Sequence, residues 1–519
     1  MSKLNKTAKP LSPFATRELG LSGNGNVQFV KAPLQALFEL VTSSIYGNDT
    51  LYESSADKVD RLKAALAAVV QVDGGADIAA RMALFVRHKI GMRTMAIIMG
   101  VELLKAVRNA GITFAHSRKF IALLIDRADE LNDLYAYALT AFGTKGKVPL
   151  ALKRGVADAF NKFDGYQLAK YDRTDGQVTL KRLLRIVHPV PANEAQSKLF
   201  DQLMRDTLPP PNTWEVRLSQ NGMLPKDERL SKADLWTELV TTRGAGELGY
   251  MALIRNLRNI AQAEVSEGTL ELVASRIRDP KAVERSRMLP WAFINAHEIA
   301  VEDNLPAVLR NAVSDAIELS LGNMPNLGKR VWLIGDVSSS MKQGGGKNAP
   351  LKASVILMAA LFKAQKQDVA ITLFSDKAER LVGLNPRDSL TTLFGQIMKK
   401  SYGGGTNIAA AFAAKHALGF EPDTVVVLSD MEVNSNDFHC LEVIDKGVFG
   451  PDVLKIAINL NSSITTPLDP RDGWLQLAGW SEKLFKYAEF QREGASILDQ
   501  LIANTIEVVN VKRVKTEEA

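Results

Sequence analysis

The sequence predicts an α-helical solenoid followed by an α/β domain with a doubly wound, mostly parallel sheet. Two observations in the chain of 519 residues carry this prediction. From residue 27 to about residue 321, apolar residues recur at helical spacing and the breaks between segments are short. From about residue 329 onward, short and nearly continuous apolar runs rich in β-branched residues alternate with helical stretches, which is typical of parallel strands buried on both faces.

Composition places the chain among soluble globular proteins of two or three domains. Hydrophobic residues make up 46% and charged residues 24% of the sequence. A single cysteine, Cys440, excludes a disulfide framework and favours a cytoplasmic protein. The lysine-containing N-terminus has no apolar run behind it, so we expect neither a signal peptide nor a membrane partner.

The helical half begins after a polar segment, residues 1–26, that we expect to be mobile at its start. Helical periodicity is clearest in four segments, 56–70, 78–88, 93–107 and 118–128. Glycines and prolines end these segments, and the connections between them are brief. Antiparallel helix pairs stacked as an α-solenoid over residues 27–321 fit this pattern.

The second half, residues 329–519, contains four predicted strands separated by two predicted helices. The strands are 331–335, 369–375, 424–429 and 453–460, and the helices are 351–366 and 407–418. In such an architecture, ligands bind outside the carboxyl ends of the strands.

One strand end carries a candidate metal site. The first strand runs into Asp336, Ser338 and Ser340, whose side chains point the same way in an extended loop and can converge on one point. Hard oxygen ligands with little net charge suit Mg²⁺, with Mn²⁺ as the second choice. Thr406 follows three glycines, and Asp430 ends the strand 424–429. The alternative is a loop without metal in which the serines cap a helix.

This combination resembles the metal-ion-dependent adhesion site of von Willebrand factor A domains. The resemblance implies that Asp336, Ser338, Ser340, Thr406 and Asp430 are direct or water-mediated ligands of a divalent cation. It also implies an open metal position that a carboxylate from a partner fills.

Positive charge is concentrated in one part of the helical half. Residues 143–188 contain ten basic and four acidic side chains, and this excess of 10 − 4 = +6 equals the net charge of the whole protein. Clustered charge of this kind favours a polyanionic partner, although a solvated helical face is the plain alternative.

Four segments of the helical half, followed by the A-type domain, resemble the Ro (TROVE) family of RNA-binding proteins. These segments are 87–94 (RHKIGMRT), 152–158 (LKRGVAD), 180–189 (LKRLLRIVHP) and 251–259 (MALIRNLRN). The resemblance implies a monomeric ring of HEAT-like repeats that the A domain closes. It implies that single-stranded 3′ ends of misfolded RNA bind in the central hole and small Y RNAs bind the basic outer surface.

The residues carried over as RNA contacts are Lys153, Arg154, Lys170, Arg185 and His188. His188 precedes Pro189, so it either contacts RNA or caps its helix. Arg255 and Arg258 are expected to pair with buried acids rather than with RNA. An aromatic content of 7% favours recognition of RNA backbone and shape over readout of stacked bases.

The leading functional hypothesis is a non-catalytic RNA-binding protein for quality control or storage of noncoding RNA. An exoribonuclease such as polynucleotide phosphorylase is a candidate partner. The alternative hypothesis is a metal-dependent adhesion or assembly module that binds an acidic protein. An enzyme is disfavoured, because the sequence contains neither a phosphate-binding GxxxxGK[ST] loop nor a Cys–His pair in a convincing context.

Overall fold

The structure of the chain is a computed structural model. It describes residues 19–21, 27–42, 55–143, 147–172, 176–244, 246–342, 350–365, 368–433, 448–450, 452–460, 465–468 and 473–479. Lys145 and Arg173 of the basic segment, Cys440, and the end of the second half after residue 479 lie outside these ranges. None of the described helices is long and apolar enough to cross a membrane.

The first half is built from helices joined by short turns. In chain order they are α1 (Pro33–Thr42), α2 (Ser55–Val69), α3 (Gly75–Phe85), α4 (Arg93–Asn109), α5 (Ser117–Leu124), α6 (Ala128–Phe142), α7 (Leu150–Phe160), α8 (Gly165–Tyr171), α9 (Leu180–Val187), α10 (Glu194–Arg205), α11 (Trp214–Met223), α12 (Lys232–Thr241), α13 (Tyr250–Arg255), α14 (Leu257–Gln262), α15 (Glu267–Ile277), α16 (Pro280–Ser286), α17 (Pro290–Glu302) and α18 (Ala307–Ser320).

Helices α2 to α10 form two layers in which each helix packs on the next but one. Helix α3 packs on α5, α5 on α7, and α7 on α9. In the other layer α2 packs on α4, α4 on α6, α6 on α8, and α8 on α10. Contacts between next-but-one helices are what stacked antiparallel pairs produce, so the predicted solenoid is confirmed.

One predicted helix, 118–128, is wrong in its last turn. Helix α5 ends at Leu124, and the chain is extended at Ile125 and Arg127 before α6 begins at Ala128. The backbone N–H groups of Asp126 and Arg127 donate to the carboxylate of Glu130, at 2.8 and 3.1 Å. This carboxylate caps the start of α6 and thereby ends α5, which the apolar periodicity alone does not reveal.

The start of the helical half also differs from the prediction, because it is a strand. Strand β2 (Val27–Val30) pairs antiparallel with β1 (Leu19–Leu21) on one side. On its other side it pairs with β8 (Thr465–Thr466), which belongs to the second half of the chain. The N-terminal segment is thus partly ordered, and it is attached to the domain farthest from it in sequence.

The second half contains the predicted doubly wound sheet. Its strands are β3 (Val331–Asp336), β4 (Val369–Phe374), β5 (Ala378–Arg380), β6 (Thr424–Ser429), β7 (Leu454–Asn459) and β9 (Trp474–Ala478), in the spatial order β5-β4-β3-β6-β7-β9. Only β5 is antiparallel to its neighbour among these described strands. The helices are α19 (Pro350–Ala364), α20 (Leu390–Lys399) and α21 (Ile408–Ala413).

Each central strand is buried on both faces, as the apolar runs predict. Leu333 and Val426 belong to a core shared with α19 and α20, whereas Trp332 and Val425 belong to a separate core with Phe412 of α21. Successive side chains of a strand point to opposite faces, which assigns alternate residues to the two cores.

The second domain contacts both ends of the helical half. At the N-terminal end, the side-chain amide of Gln28 donates to the carbonyl of Met431 at 3.0 Å, and that of Gln35 donates to Gln476 O at 3.0 Å. At the other end, Lys352 of α19 pairs with Glu298 of α17 at 2.6 Å. The chain therefore closes on itself, with the α/β domain between the first and last elements of the solenoid.

Candidate metal centre and nucleic-acid interface

The candidate metal ligands gather at the carboxyl ends of β3 and β6, which are adjacent in the sheet. Asp336 is fully buried, and its Oδ1 accepts a bond from Ser338 N at 2.8 Å. Its Oδ2 accepts from the hydroxyl of Ser429 at 2.6 Å. The hydroxyl oxygens of Ser338 and Ser340 lie 3.1 Å apart. The alternate spacing of the motif thus brings its oxygens together, as the extended-loop argument expects.

The loop that carries Thr406 is held against the same site by its glycines. Ser339 N donates to Gly404 O at 2.9 Å, and Gly404 N donates back to the Ser339 hydroxyl at 3.1 Å. Gly404 has a φ of +117°, and a Cβ there would lie 2.5 Å from Asp376 Oδ2. Only glycine fits this position, so the flexible residues before Thr406 serve a close backbone approach. The Thr406 side chain is buried beside them.

The electrostatics of this site favour the binding of a positive charge. Burial raises the pKa of Asp336 and of Asp430, and the charge of Asp336 raises the pKa of Asp430 further. Asp430 Oδ2 is buried and has no hydrogen-bond partner among the described residues. A buried carboxylate oxygen without a partner is costly, and a divalent cation would satisfy it. The residues present therefore fit the predicted cation.

The ligand chemistry also limits which cation suits the site. The described residues contain no cluster of three or more His, Cys, Asp or Glu side chains that could hold a metal. A site here must therefore rely on two carboxylates and on hydroxyl oxygens. Such a set suits Mg²⁺ or Mn²⁺ better than zinc, which prefers nitrogen and sulfur.

The predicted RNA contacts lie on three helices of the solenoid. Lys153 and Arg154 are on α7, Arg185 is in the last turn of α9, and His188 follows it; α7 and α9 pack directly against each other. We call these four residues the basic face. None of their side chains has a hydrogen-bond or ion-pair partner in the described part of the chain, and all except the part-exposed Lys153 are exposed. They are available to a ligand.

Lys170 stands apart from the basic face. It lies on α8, which packs against α6 and α10 in the other layer. Its ammonium group lies over the rings of Tyr166 and Tyr171, at 5.9 and 5.8 Å from their centres. Tyr166 is half exposed, so this pair offers an aromatic surface next to a cation.

His188 occupies the position that ends helix α9. Its backbone N–H donates to Leu184 O at 3.0 Å, and its φ of 47° lies in the left-handed region. Because the backbone makes the cap, the imidazole is left exposed. The two roles considered from the sequence are therefore compatible in one residue.

Other basic residues of the segment are engaged within the protein. The Lys162 ammonium donates to the carbonyls of Ala122 and Ile125, at 2.5 and 2.8 Å. Lys181 pairs with Asp206, and Arg182 donates to Gln177 O at 2.9 Å. The sequence count of basic residues therefore overstates the charge that is free for a ligand.

Lys162 belongs to a cluster of ionisable side chains. Arg87 is buried and donates to both carboxylate oxygens of Glu130, at 2.7 and 2.9 Å. His88 Nδ1 lies 2.8 Å from Asp126 Oδ2, and its Nε2 lies 3.1 Å from Leu123 O. We call Arg87, His88, Asp126, Glu130 and Lys162 the ion cluster. It joins the π-helix Val86–Ile90, which follows α3, and the turn after α7 to the α5–α6 turn, which is a structural role.

Two further segments of those that resemble the Ro (TROVE) family also contain residues with contacts inside the protein. In the segment 152–158, a Cβ on Gly155 would lie 2.6 Å from Arg118 O, so glycine permits the close approach of α5 and α7. Asp158 pairs with Arg118 at 2.7 Å across that contact. In the segment 251–259, Arg258 pairs with Asp303, but that acid is exposed, and Arg255 has no partner among the described residues. The expected pairing of both arginines with buried acids is therefore wrong.

Comparison with known proteins agrees with this architecture. Residues 204–326 match the TROVE domain family, and residues 331–432 match the von Willebrand factor type A domain family. The RNA-binding protein RO60 of Deinococcus radiodurans is 26% identical over 333 residues, which is 57% of this chain and 62% of that protein. Telomerase protein component 1 of Mus musculus is 24% identical over 390 residues, or 59% of this chain and 14% of that protein.

The alignments thus span less than two thirds of either relative. Among solved structures, the crystal structure of the Deinococcus radiodurans RO (RSR) protein matches the fold, with a TM-score of 0.62 and 21% identity. That match covers 88% of this chain and 99% of the other. Both family domains occur here in the order that the sequence predicts, and the same overall fold accompanies them. The chain thus contains a segment that matches the TROVE domain family, followed by a segment that matches the von Willebrand factor type A domain family.

Proposed function

We propose that this protein binds RNA and acts in quality control or storage of noncoding RNA. The observation that carries the proposal is the basic face, whose cations have no partner among the described residues while Lys162, Lys181 and Arg182 beside them are engaged. Cations without internal partners are available to neutralise phosphates. The name of the Deinococcus relative, an RNA-binding protein, supports the same ligand class.

The finer proposal separates two kinds of RNA. Single-stranded 3′ ends of misfolded RNA would enter the closed ring, and small Y-like RNA would lie on the basic face. The two-layered solenoid and the contacts of the α/β domain with both of its ends support a ring made from one chain. A non-catalytic role in the cytoplasm, with an exoribonuclease such as polynucleotide phosphorylase as a partner, completes the proposal.

The test is a fluorescence titration of the full-length protein across a salt series. One RNA carries a hairpin with an unpaired 3′ tail, and the other is a blunt duplex. We expect tighter binding of the tailed RNA, because a ring admits one strand more easily than two. The triple variant Lys153→Ala, Arg154→Ala, Arg185→Ala should bind more weakly and flatten the log–log salt dependence by about two to three units.

The matched control removes positive charge without touching the basic face. Lys226 is exposed in the loop after α11, and Lys226→Gln should leave the salt dependence unchanged. If the triple variant binds like the wild type at every salt concentration, the basic face is only a solvated surface. If the wild type binds neither RNA, the proposal fails.

We also propose that Asp336, Ser338, Ser340, Thr406 and Asp430 hold a divalent cation, Mg²⁺ or Mn²⁺. The unpartnered oxygen of Asp430 supports this. Asp336 and the serines would orient the site, and the bound cation would supply a positive position for an outside oxygen ligand. In calorimetric titration of the full chain, Asp336→Ala and Thr406→Ala should abolish metal binding. Unchanged affinity in both variants would refute the assignment.

The same metal site supports a second candidate function, capture of an acidic protein partner. Its distinguishing feature is metal dependence, because a partner carboxylate would complete the cation's coordination. Binding of RNA should persist in Asp336→Ala, since the basic face and the metal site lie in different domains. A protein partner that is lost in Asp336→Ala, with no RNA bound by the wild type, would favour this second function.

A further inference from the structure

A cavity of about 570 Å³ lies between helices α13, α14 and α17, away from the basic face and the metal site. Its floor includes the buried side chains of Leu257, Met288 and Leu305. Its rim carries two apolar side chains that are exposed to solvent, Met251 at 46% and Ile299 at 39%. The volume falls within the range of small-ligand sites.

The cavity lies beside a break between two short helices. Helices α13 and α14 are separated by Asn256, which is buried. Its side-chain amide donates to Ala252 O at 2.8 Å, and its Oδ1 accepts from the amide of Asn259 at 2.9 Å. The break is therefore held by a buried side chain. Asn259, which Asn256 holds in place, lines the cavity.

The polar side chains at the rim of the cavity differ in whether another residue of the protein binds them. Arg258 is fixed by its ion pair with Asp303. Arg255 and Asn295 also line the cavity, are exposed, and have no hydrogen-bond or ion-pair partner in the described ranges. A guanidinium and an amide without partners thus stand beside exposed apolar side chains. Together they present apolar walls, hydrogen-bonding groups and one available positive charge.

We infer that this cavity binds one unpaired nucleobase of an RNA strand, an inference that rests on the proposed function. The flat faces of a base would contact Met251 and Ile299, and Asn295 would face its polar edge. Arg255 would pair with the adjoining phosphate. An apolar side chain from a protein partner would fill the walls but leave Arg255 and Asn295 without ligands. The charge and amides therefore favour a nucleotide.

The site would act on specificity rather than on bulk affinity. Phosphate contacts at the basic face are indifferent to sequence, whereas a cavity that encloses one base responds to whether that base is present. The cavity also lies within residues 204–326, the part of the chain that matches the TROVE family, whereas the basic face lies before that match.

The experiment uses the full-length protein and the tailed hairpin RNA, with an abasic nucleotide placed at each tail position in turn. For the wild type, we expect one position at which the abasic substitution weakens binding by about tenfold, because the apolar contact between that base and the cavity walls is lost. In Arg255→Gln and in Ala296→Phe, which fills the cavity, this sensitivity should disappear. Arg255→Lys should retain it.

Lys226→Gln serves as the charge-matched control and should keep the abasic sensitivity. Should Ala296→Phe fail to fold, Arg255→Gln and Asn295→Ala still test the site, because both side chains are exposed. If the wild type binds the tailed RNA but no abasic position matters, or if the variants keep the wild-type sensitivity, the nucleobase site is wrong and the proposed function stands. If the wild type binds no RNA, the proposed function itself fails.

Discussion

The helical half contains two groups of basic residues that look alike in sequence and differ in structure. In the ion cluster, Arg87 is buried against Glu130 and Lys162 donates to two carbonyls. In the basic face, Arg154 and Arg185 have no partner in the described part of the chain. The difference teaches that charge density alone does not identify a binding surface. A cation is available for a ligand only when no internal acceptor already holds it.

The largest effect that would test this comparison is on stability. Arg87→Ala should lower the free energy of unfolding by about 3–5 kcal/mol, because it leaves the buried carboxylate of Glu130 without its positively charged partner. Urea denaturation followed by circular dichroism measures this. Arg154→Ala is the control and should change stability by less than about 0.5 kcal/mol. Equal stability of Arg87→Ala and wild type would show that the cluster contributes nothing to the fold.

The second effect is on the affinity for RNA. Here a change in the basic face should have an effect, and a change in the ion cluster should have none. Arg154→Ala should reduce the slope of log affinity against log salt by a little under one unit, because one phosphate contact is lost. Lys162→Met, which keeps the apolar stem but removes a charge that the protein already uses, should leave that slope unchanged. The pair is measured in the same salt series with the same tailed RNA. A smaller slope for Lys162→Met would mean that its ammonium also reaches RNA.

The difference between local and distant contacts also explains which features of the fold and of the candidate site could be predicted from the sequence. Asp336, Ser338 and Ser340 are close in sequence, and their alternate spacing fixes their direction, so the convergence of their oxygens could be predicted. Strand β2 could not, because its partner β8 lies more than four hundred residues away and a short apolar run carries no information about distant pairing. Nonlocal pairing needs the folded chain.

The partners of individual side chains could not be predicted from the sequence for a related reason. Glu130 caps its own helix and also accepts bonds from Arg87, 43 residues before it. Local helical periodicity shows neither role, and the capping role is the one that accompanies the early end of α5. Likewise, the segment 251–259 is one apolar stretch in the sequence, whereas in the structure two helices meet at Asn256, whose side chain donates to Ala252 O. The cavity beside that break was therefore absent from the sequence-based prediction of site residues.

A smaller effect separates the backbone role of His188 from its side-chain role. The left-handed conformation, with a φ of 47°, costs a non-glycine residue roughly 1 kcal/mol that glycine does not lose. His188→Gly should therefore raise the free energy of unfolding by about that amount while removing the imidazole. If affinity for RNA falls although stability rises, the imidazole contacts RNA. If affinity is unchanged, His188 only ends its helix.

The smallest expected effect is the pH dependence of the ion cluster. Burial on its own would raise the pKa of Asp126, but the hydrogen bond and charge of His88, with Lys162 and Arg87, outweigh it and hold this pKa below its usual value. A lowered pKa in the folded state means that Asp126 stabilises the protein above the unfolded pKa of about 4. That contribution is lost as the pH falls through the folded value.

Because Asp126 is 44% exposed, solvent screening limits this contribution to below about 1 kcal/mol. Asp126→Asn should therefore be slightly less stable than the wild type at pH 7, and the difference should vanish in acid below the folded pKa. Asp158→Asn is the matched control, because its carboxylate pairs with the exposed Arg118 outside the cluster. Urea denaturation at a series of pH values compares the three proteins. A gap between Asp126→Asn and wild type that stays constant into acid would show that Asp126 contributes through packing, and the ion cluster would then be no more charge-dependent than the basic face.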